Sequence, residues 1–226
     1  MKIIEPIIEV EKFDGKAIMK KLERACRTCY RSEGSITDES YSNLLKNCIN
    51  RGHESILEHE KISITMICDI GVYKDLTRHR FASFSIESTR YCNYGKDKFD
   101  AQIKFIKPCN YEENSTMYEL WKESMEEIEK KYLALSEAGA TADQLRMLLP
   151  HSTAAKVSMT ANIREWKHIL SLRATVHAHP AIQQLLIPLL LLFKKEMPEI
   201  FDSVEYNEKF EEMYFQKPAE LTFIEE

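Results

Sequence analysis

The segment "RHRFASFSIESTRY", Arg78 to Tyr91, holds three of the chain's ten arginines, with His79 between the first two. Ser83, Ser85, Ser88 and Thr89 follow before the third, Arg90. Guanidinium forks and small hydroxyl donors in one stretch suit anionic oxygen, most simply phosphate. Arg-His-Arg alone has a plainer reading, a basic helix end making surface ion pairs. The hydroxyl run closed by Arg90 favours a phosphate-gripping turn. A second cluster lies in "NIREWKHILSLRATVHA" (162–178). There Arg164 and His168, and again Arg173 and His177, stand four apart and share a helical face. Trp166, Ile169, Leu170 and Leu172 flank them, so these cations border a core-facing stripe. Arg146, set among Leu145, Met147, Leu148 and Leu149, is likewise seldom placed there for solubility alone.

Other chemistries fit less well. Only six glycines occur, and none forms a GxGxxG or P-loop cradle, so arginine must do the phosphate work. "HESILEH" (53–59) pairs two histidines six apart. At about 100° per residue they point to different sides of a helix, unlike the H-E-x-x-H zinc spacing. "HAH" (177–179) has no acidic partner at obvious spacing, so no metal is expected. "CRTC" (26–29) sits in an amphipathic helix without the context of a redox motif. The six scattered cysteines read as reduced thiols.

Those residues need a scaffold. The chain has 226 residues, enough for one sizeable core, with 44% hydrophobic and 30% charged residues. Its net charge of −5 argues against a general nucleic-acid binder, though not against a small pocket for a phosphorylated ligand. The opening "MKIIEPIIEVEK" does not read as a signal peptide, and "LLIPLLLLF" (185–193) is too short to span a bilayer, so a buried helix in a cytoplasmic protein is expected. Periodicity predicts helices over 15–31, over 37–52 with Thr37 as N-cap and Gly52 as stop, and over 71–80, leading into the serine-rich segment. It predicts further helices over 113–138, 141–150, 162–178 and 180–195. Strands are expected over 61–70, 101–108 and 153–161. Strands and helices do not alternate strictly, which favours α+β over a doubly wound sheet.

Together these segments resemble the flavin-dependent thymidylate synthases. That family carries Arg-His-Arg, seven residues and Ser, matched here by Arg78, His79, Arg80 and Ser88. Asn162, Arg164, His168, Arg173 and His177 fall at the spacing of its second polar helix. Arg146 in "LRMLLP" and "GHESILEH" near the front match it too. The resemblance runs from about Ala25 to about Phe201. It departs at Ser85, Ile86, Thr89 and Asp75; many members carry an amide or carboxylate at position 86, and Ile86 offers a ligand only its backbone.

The resemblance implies one α+β domain spanning 1–226, a central mostly antiparallel or mixed sheet flanked by helices, assembled as a homotetramer with active sites shared between subunits. It implies FAD held by Ser55, Arg78, His79, Arg80, Ile86, Asn162, Arg164 and His168. It implies dUMP held by Asp75, Arg78, Ile86, Glu87, Ser88, Thr89, Arg90, Arg146 and Arg173, with Arg146 reaching in from a neighbouring subunit. His53 and His177 would lie near folate and flavin. The implied reaction is reductive methylation of dUMP to dTMP, with carbon from 5,10-methylenetetrahydrofolate and hydride from FAD reduced by NADPH. Arg173 would be catalytic, and no cysteine nucleophile is needed; Cys109 lies outside the matched segments. Two rivals stay open: hydroxymethyl transfer to a pyrimidine nucleotide by the same fold, and a non-catalytic nucleotide- or RNA-binding module. The second predicts a broad basic face and no flavin.

Overall fold

The two longest strands are written as alternations of apolar and polar residues. Lys61–Asp69 (β3) buries Ile62, Ile64, Met66 and Cys68, and Ala154–Asn162 (β6) buries Val157, Met159 and Ala161. A computed structural model, describing residues 1–224, pairs them antiparallel along their whole length. Ala82–Ile86 (β4) lies antiparallel to β6, and Ile7–Glu11 (β2) antiparallel to β3. Glu220–Ile224 (β7) closes the far edge parallel to β2, giving the order β4-β6-β3-β2-β7. Lys2–Ile4 (β1) and Lys104–Ile106 (β5) form a separate parallel pair. The expected α+β architecture with a mixed sheet flanked by helices is present.

Period-two patterning sends the apolar residues to one face of the sheet and hydroxyls to the other. On the polar face Ser63 and Thr160 are hydrogen-bonded at 2.7 Å, and Thr65 donates to Ser158 at 3.4 Å. Against the apolar face pack Gly15–Thr28 (α1), Ser40–Asn50 (α2), Ile163–Arg173 (α6) and Pro180–Glu196 (α7). Most of the α7 run Leu185 to Phe193 is buried as expected, with Leu191 exposed and Pro188 inside the helix. Gly15 is required where α1 starts, because a Cβ there would come within 2.2 Å of the Glu196 carbonyl oxygen. A second cluster, built on Tyr94, Ile103, Phe105, Met125, Tyr132 and Leu145, ties β5 to Thr116–Glu137 (α4) and Ala142–Leu145 (α5). Ile70–Leu76 (α3) follows β3, and Pro198–Phe201 (α8) and Phe210–Met213 (α9) follow α7. Among the described residues no helix is long and apolar enough to cross a membrane.

Several boundaries differ from expectation. Helix α2 starts at Ser40, not at a Thr37 cap: Glu39 holds the cap position, and the Thr37 N–H donates to Ser40 Oγ at 2.8 Å. Gly52, at φ 74°, does mark the stop. The helix expected over 71–80 ends at Leu76, because Thr77 turns its hydroxyl back to the Lys74 carbonyl at 3.0 Å. Arg78, His79 and Arg80 therefore lie in a turn, and half of the serine-rich segment is strand β4. The helix expected over 162–178 ends at Arg173, so Arg173 and His177 do not share a helical face. Arg146 is exposed on the 3-10 turn Arg146–Leu148 after α5, beside Met147 at 83% exposure.

Candidate active site

The turn Arg78–Arg80 and the start of α6 meet at one end of the sheet, where β6 stops and β3 and β4 start. Asn162 ends β6 and caps α6, its side-chain oxygen accepting the Glu165 N–H at 2.8 Å. That cap projects Arg164, Glu165, Lys167 and His168 from the first turns of α6 towards Arg78, His79, Arg80 and Phe81. The 3-10 turn Glu54–His59 supplies the opposite wall. These elements enclose a cleft of about 780 Å³ lined by Arg78, His79, Arg80, Phe81, Asn162, Arg164, Glu165, Lys167, His168 and Ser171, with Glu54 and Glu58. A second hollow of about 590 Å³ continues from it, sharing Glu58, Arg80, Phe81 and Asn162.

Charge in the cleft is organised. Arg164 pairs with Glu58 at 2.6 Å, and Lys167 pairs with Glu54. His79 and Glu165 are its buried members, at 6% and 8% exposure. His79 Nε2 accepts from Arg173 Nε at 3.2 Å, and its Nδ1 stands 3.6 Å from Glu165 Oε1. The His168 ring meets it edge-on at 5.8 Å. Burial, then the Arg173 and His168 charges, holds the imidazole down at about 4, so it is neutral at physiological pH. The Arg173 guanidinium is fixed a second time by Nη2 donating to the Asp75 carbonyl at 3.4 Å.

Of the residues singled out from sequence, Arg78, His79, Arg80, Asn162, Arg164 and His168 converge on this cleft, and Arg173 reaches it through His79. Ser55 lies in the Glu54–His59 turn, while His53 and His177 are exposed outside the lining. Ser88, Thr89 and Arg90 form a separate turn after β4. There Ser88 Oγ accepts the Arg90 N–H at 3.3 Å, and Arg90 pairs with Asp143 of α5 at 3.1 Å, the helix whose end carries Arg146. Ile86 packs against the core. Glu87 turns away, accepting from the Tyr94 hydroxyl at 2.8 Å and the Lys156 N–H at 3.3 Å, and lines a different cavity of about 380 Å³. Asp75 borders a fourth cavity, of about 410 Å³, with Lys74 and His151.

Sequence reasoning missed Glu54, Glu58, Glu165 and Lys167 as lining. The i,i+4 spacing of Glu54 and Glu58 was a legible signal, as was Glu165 in the first turn of a helix beginning with Asn. Burial pushes the Cys26 and Cys109 thiols up to about 12 and raises Cys68 as well, so none of these offers a thiolate near neutrality. Cys26 and Cys48 meet as thiols with Sγ atoms 3.3 Å apart. Among the described residues no group of three or more His, Cys, Asp or Glu is arranged to hold a metal ion.

Fold and cleft together define an α+β protein with an arginine-lined cleft and no glycine-rich loop. The chain belongs to the Thy1 family, described as thymidylate synthase complementing protein, whose profile matches residues 16–199. It is 35% identical over 135 residues to the flavin-dependent thymidylate synthase of Thermococcus onnurineus, covering 59% of this chain and 54% of that one. It is 30% identical over 191 residues to the enzyme of that name from Thermosipho africanus, covering 80% and 83%. The match spans less than two thirds of the thermococcal relatives: 54% for Thermococcus onnurineus and 61% for Thermococcus kodakarensis. In fold it is similar to PolB from Streptomyces cacaoi, a UMP/dUMP methylase crystallised with 5-Br dUMP. The TM-score is 0.69 at 21% identity, over 89% of this chain and 96% of that one.

Proposed function

We propose that the protein is a flavin-dependent thymidylate synthase, converting dUMP to dTMP with carbon from 5,10-methylenetetrahydrofolate and reducing power from NADPH. The observation that carries the reading is the convergence of Arg78, His79, Arg80, Asn162, Arg164 and His168 on one cleft, in a chain of this family. The donor set fits FAD: three arginines and a lysine suit its pyrophosphate, and the volume lies within the range of cofactor pockets. Arg78, Arg80 and Arg164 would hold the phosphates, with Ser55, Asn162, His168 and the backbone near Ile86 around the rest. The Arg164–Glu58 pair would open to release its guanidinium. When bound, reduced flavin supplies the hydride; the protein binds, orients and polarises.

Ser88, Thr89 and Arg90 are assigned to the dUMP phosphate, with Asp75 and Glu87 near the nucleotide and His53 and His177 on the folate side. Arg173 is assigned to the pyrimidine. Methylation at C5 needs an electron-rich ring, and a fixed guanidinium beside the ring carbonyls stabilises the negative charge that develops. A cysteine nucleophile has no part in this scheme.

Arg80→Ala tests the cofactor assignment. One charge-assisted contact is worth about 1.5–3 kcal/mol, so flavin affinity should fall roughly 10–100-fold, read as flavin retained through gel filtration. Unchanged flavin content would sink the assignment.

Arg146, exposed on its turn, is assigned to a neighbouring subunit's dUMP within a homotetramer. Mixing Arg146→Ala chains with Arg90→Ala chains should then regenerate activity neither has alone. At equal mixing, roughly a quarter of composite sites would be intact. A monomer in light scattering, or no recovery despite proven subunit exchange, counts against it.

A further inference from the structure

Glu165 is buried in the cleft wall, beside the histidine that touches Arg173, and no part of the proposed chemistry uses it. We infer that Glu165 is a positioning residue for Arg173, acting through His79. Its carboxylate holds the imidazole in the Nδ1-protonated form, and the bare Nε2 then seats the guanidinium. The inference rests on the proposed role of Arg173.

The tautomer follows from donor counting. Arg173 has only N–H groups to offer, and its Nε lies 3.2 Å from His79 Nε2. A proton on Nε2 would set two donors against each other, so Nε2 must carry the lone pair and Nδ1 the hydrogen. Nδ1 stands 3.6 Å from Glu165 Oε1, beyond a hydrogen bond, so the carboxylate acts on that proton through its charge. An imidazole free to exchange its proton would present a donor to Arg173 part of the time and release it. A carboxylate beside Nδ1 suppresses that form, as the aspartate of a serine-protease triad does for its histidine.

Glu165 is itself well held. It lies 8% exposed in the first turn of α6, where the helix dipole favours a carboxylate, and its N–H is fixed on Asn162. The other groups facing His79 are Arg173 and His168 from α6 and Asp75 from α3. Burial opposes protonation of the ring most, and the Arg173 charge next, so the imidazole remains an acceptor through the neutral range. With Nε on His79 and Nη2 on the Asp75 carbonyl, Arg173 has two anchors; among the described residues Nη1 has no acceptor. That is the geometry of a guanidinium held by one side with its other edge free for a substrate.

The test joins a spectrum to kinetics. In the full protein labelled with 15N-histidine, the His79 ring should read as protonated at Nδ1 and bare at Nε2. Glu165→Leu should give a mixed tautomer and lower kcat for dTMP formation about 10–100-fold, the usual cost of removing a group that orients a histidine. Bound flavin and the KM for dUMP should stay near wild type. Glu165→Asp keeps the carboxylate and should recover part of the rate, whereas Glu165→Gln, whose amide can donate as well as accept, should not. A wild-type ring protonated at Nε2 overturns the inference, and that reading needs no variant to fold. So does Glu165→Leu with unchanged kcat, or with flavin and kcat lost together and not restored by Asp. A wild-type protein that makes no dTMP overturns the proposed activity instead; the tautomer, read without substrate, then decides the His79 geometry alone.

Discussion

Arg173→Ala is expected to fold, keep its flavin and lose about 10²–10³ in the rate of dTMP formation at saturating dUMP, the usual effect of removing one preorganised donor. The magnitude rests on preorganisation. The guanidinium is held at Nε by His79 and at Nη2 by the Asp75 carbonyl, so no rearrangement is needed when charge develops on the ring. It stays charged at any working pH, so the loss should be flat across the pH profile. Arg173→Lys should recover little. An ammonium can reach one anchor or the substrate but cannot bridge His79, Asp75 and the ring as a planar fork does. Near wild-type turnover by Arg173→Ala would show that another group polarises the pyrimidine.

Much of the frame that carries Arg173 was legible in the sequence, and the reasons differ by element. Strands β3 and β6 read correctly because each buries only one face, so period two survives intact from Ile62 to Cys68 and from Val157 to Ala161. Helix α7 was legible for the opposite reason: it is apolar all round and long enough to be nothing else. The end of α6 was not legible. "LRATVHA" contains neither glycine nor proline, and its periodicity runs on past Arg173. What stops the helix is remote: the Asn207 N–H donates to the Ala174 carbonyl at 2.8 Å, and Ala178 turns back to Thr175 at 3.1 Å. That contact leaves Arg173 as the last helical residue, free to bend towards His79.

The site shows the same division. Arginines and histidines announced a cleft for phosphate by type, while their glutamate partners were marked only by spacing, Glu54 and Glu58 at i,i+4 and Glu165 in a first helical turn, which carries no signal of burial. Glu165 became visible only once Asn162 was seen to cap the helix beside it. The serines of "RHRFASFSIESTRY" misled in part. Ser83 and Ser85 look like turn donors, yet they occupy the exposed pleats of β4, alternating with Ala82, Phe84 and Ile86. Strand β7 carried no expectation at all; its place is set by register with β2 across more than two hundred residues of chain.

Trp166→Ala is expected to be the most destabilising single truncation near the site, and to remove flavin with the fold. The indole is 0% exposed and meets Phe193 edge-on at 6.0 Å, and Phe193 in turn meets Phe13 and Phe201 at 5.8 and 5.0 Å. Its Nε1–H donates to the Ile62 carbonyl at 3.0 Å, bonding α6 to the start of strand β3. Truncation of a buried tryptophan costs about 3–5 kcal/mol, which in a chain of this size should lower Tm by about 10 °C. Trp166→Phe separates the two contributions. It keeps most of the ring packing and loses only the hydrogen bond, about 1–3 kcal/mol when an acceptor is left unpaired. Arg164, Glu165, Lys167 and His168 flank this residue on the same helix, so the anchor also sets where the cleft wall stands. Below its own melting transition, the Phe variant should therefore keep flavin, and the Ala variant should bind it more weakly even while folded. If Trp166→Ala melts lower but binds flavin as wild type does, the wall is positioned by the Asn162 cap alone and the indole serves only the core.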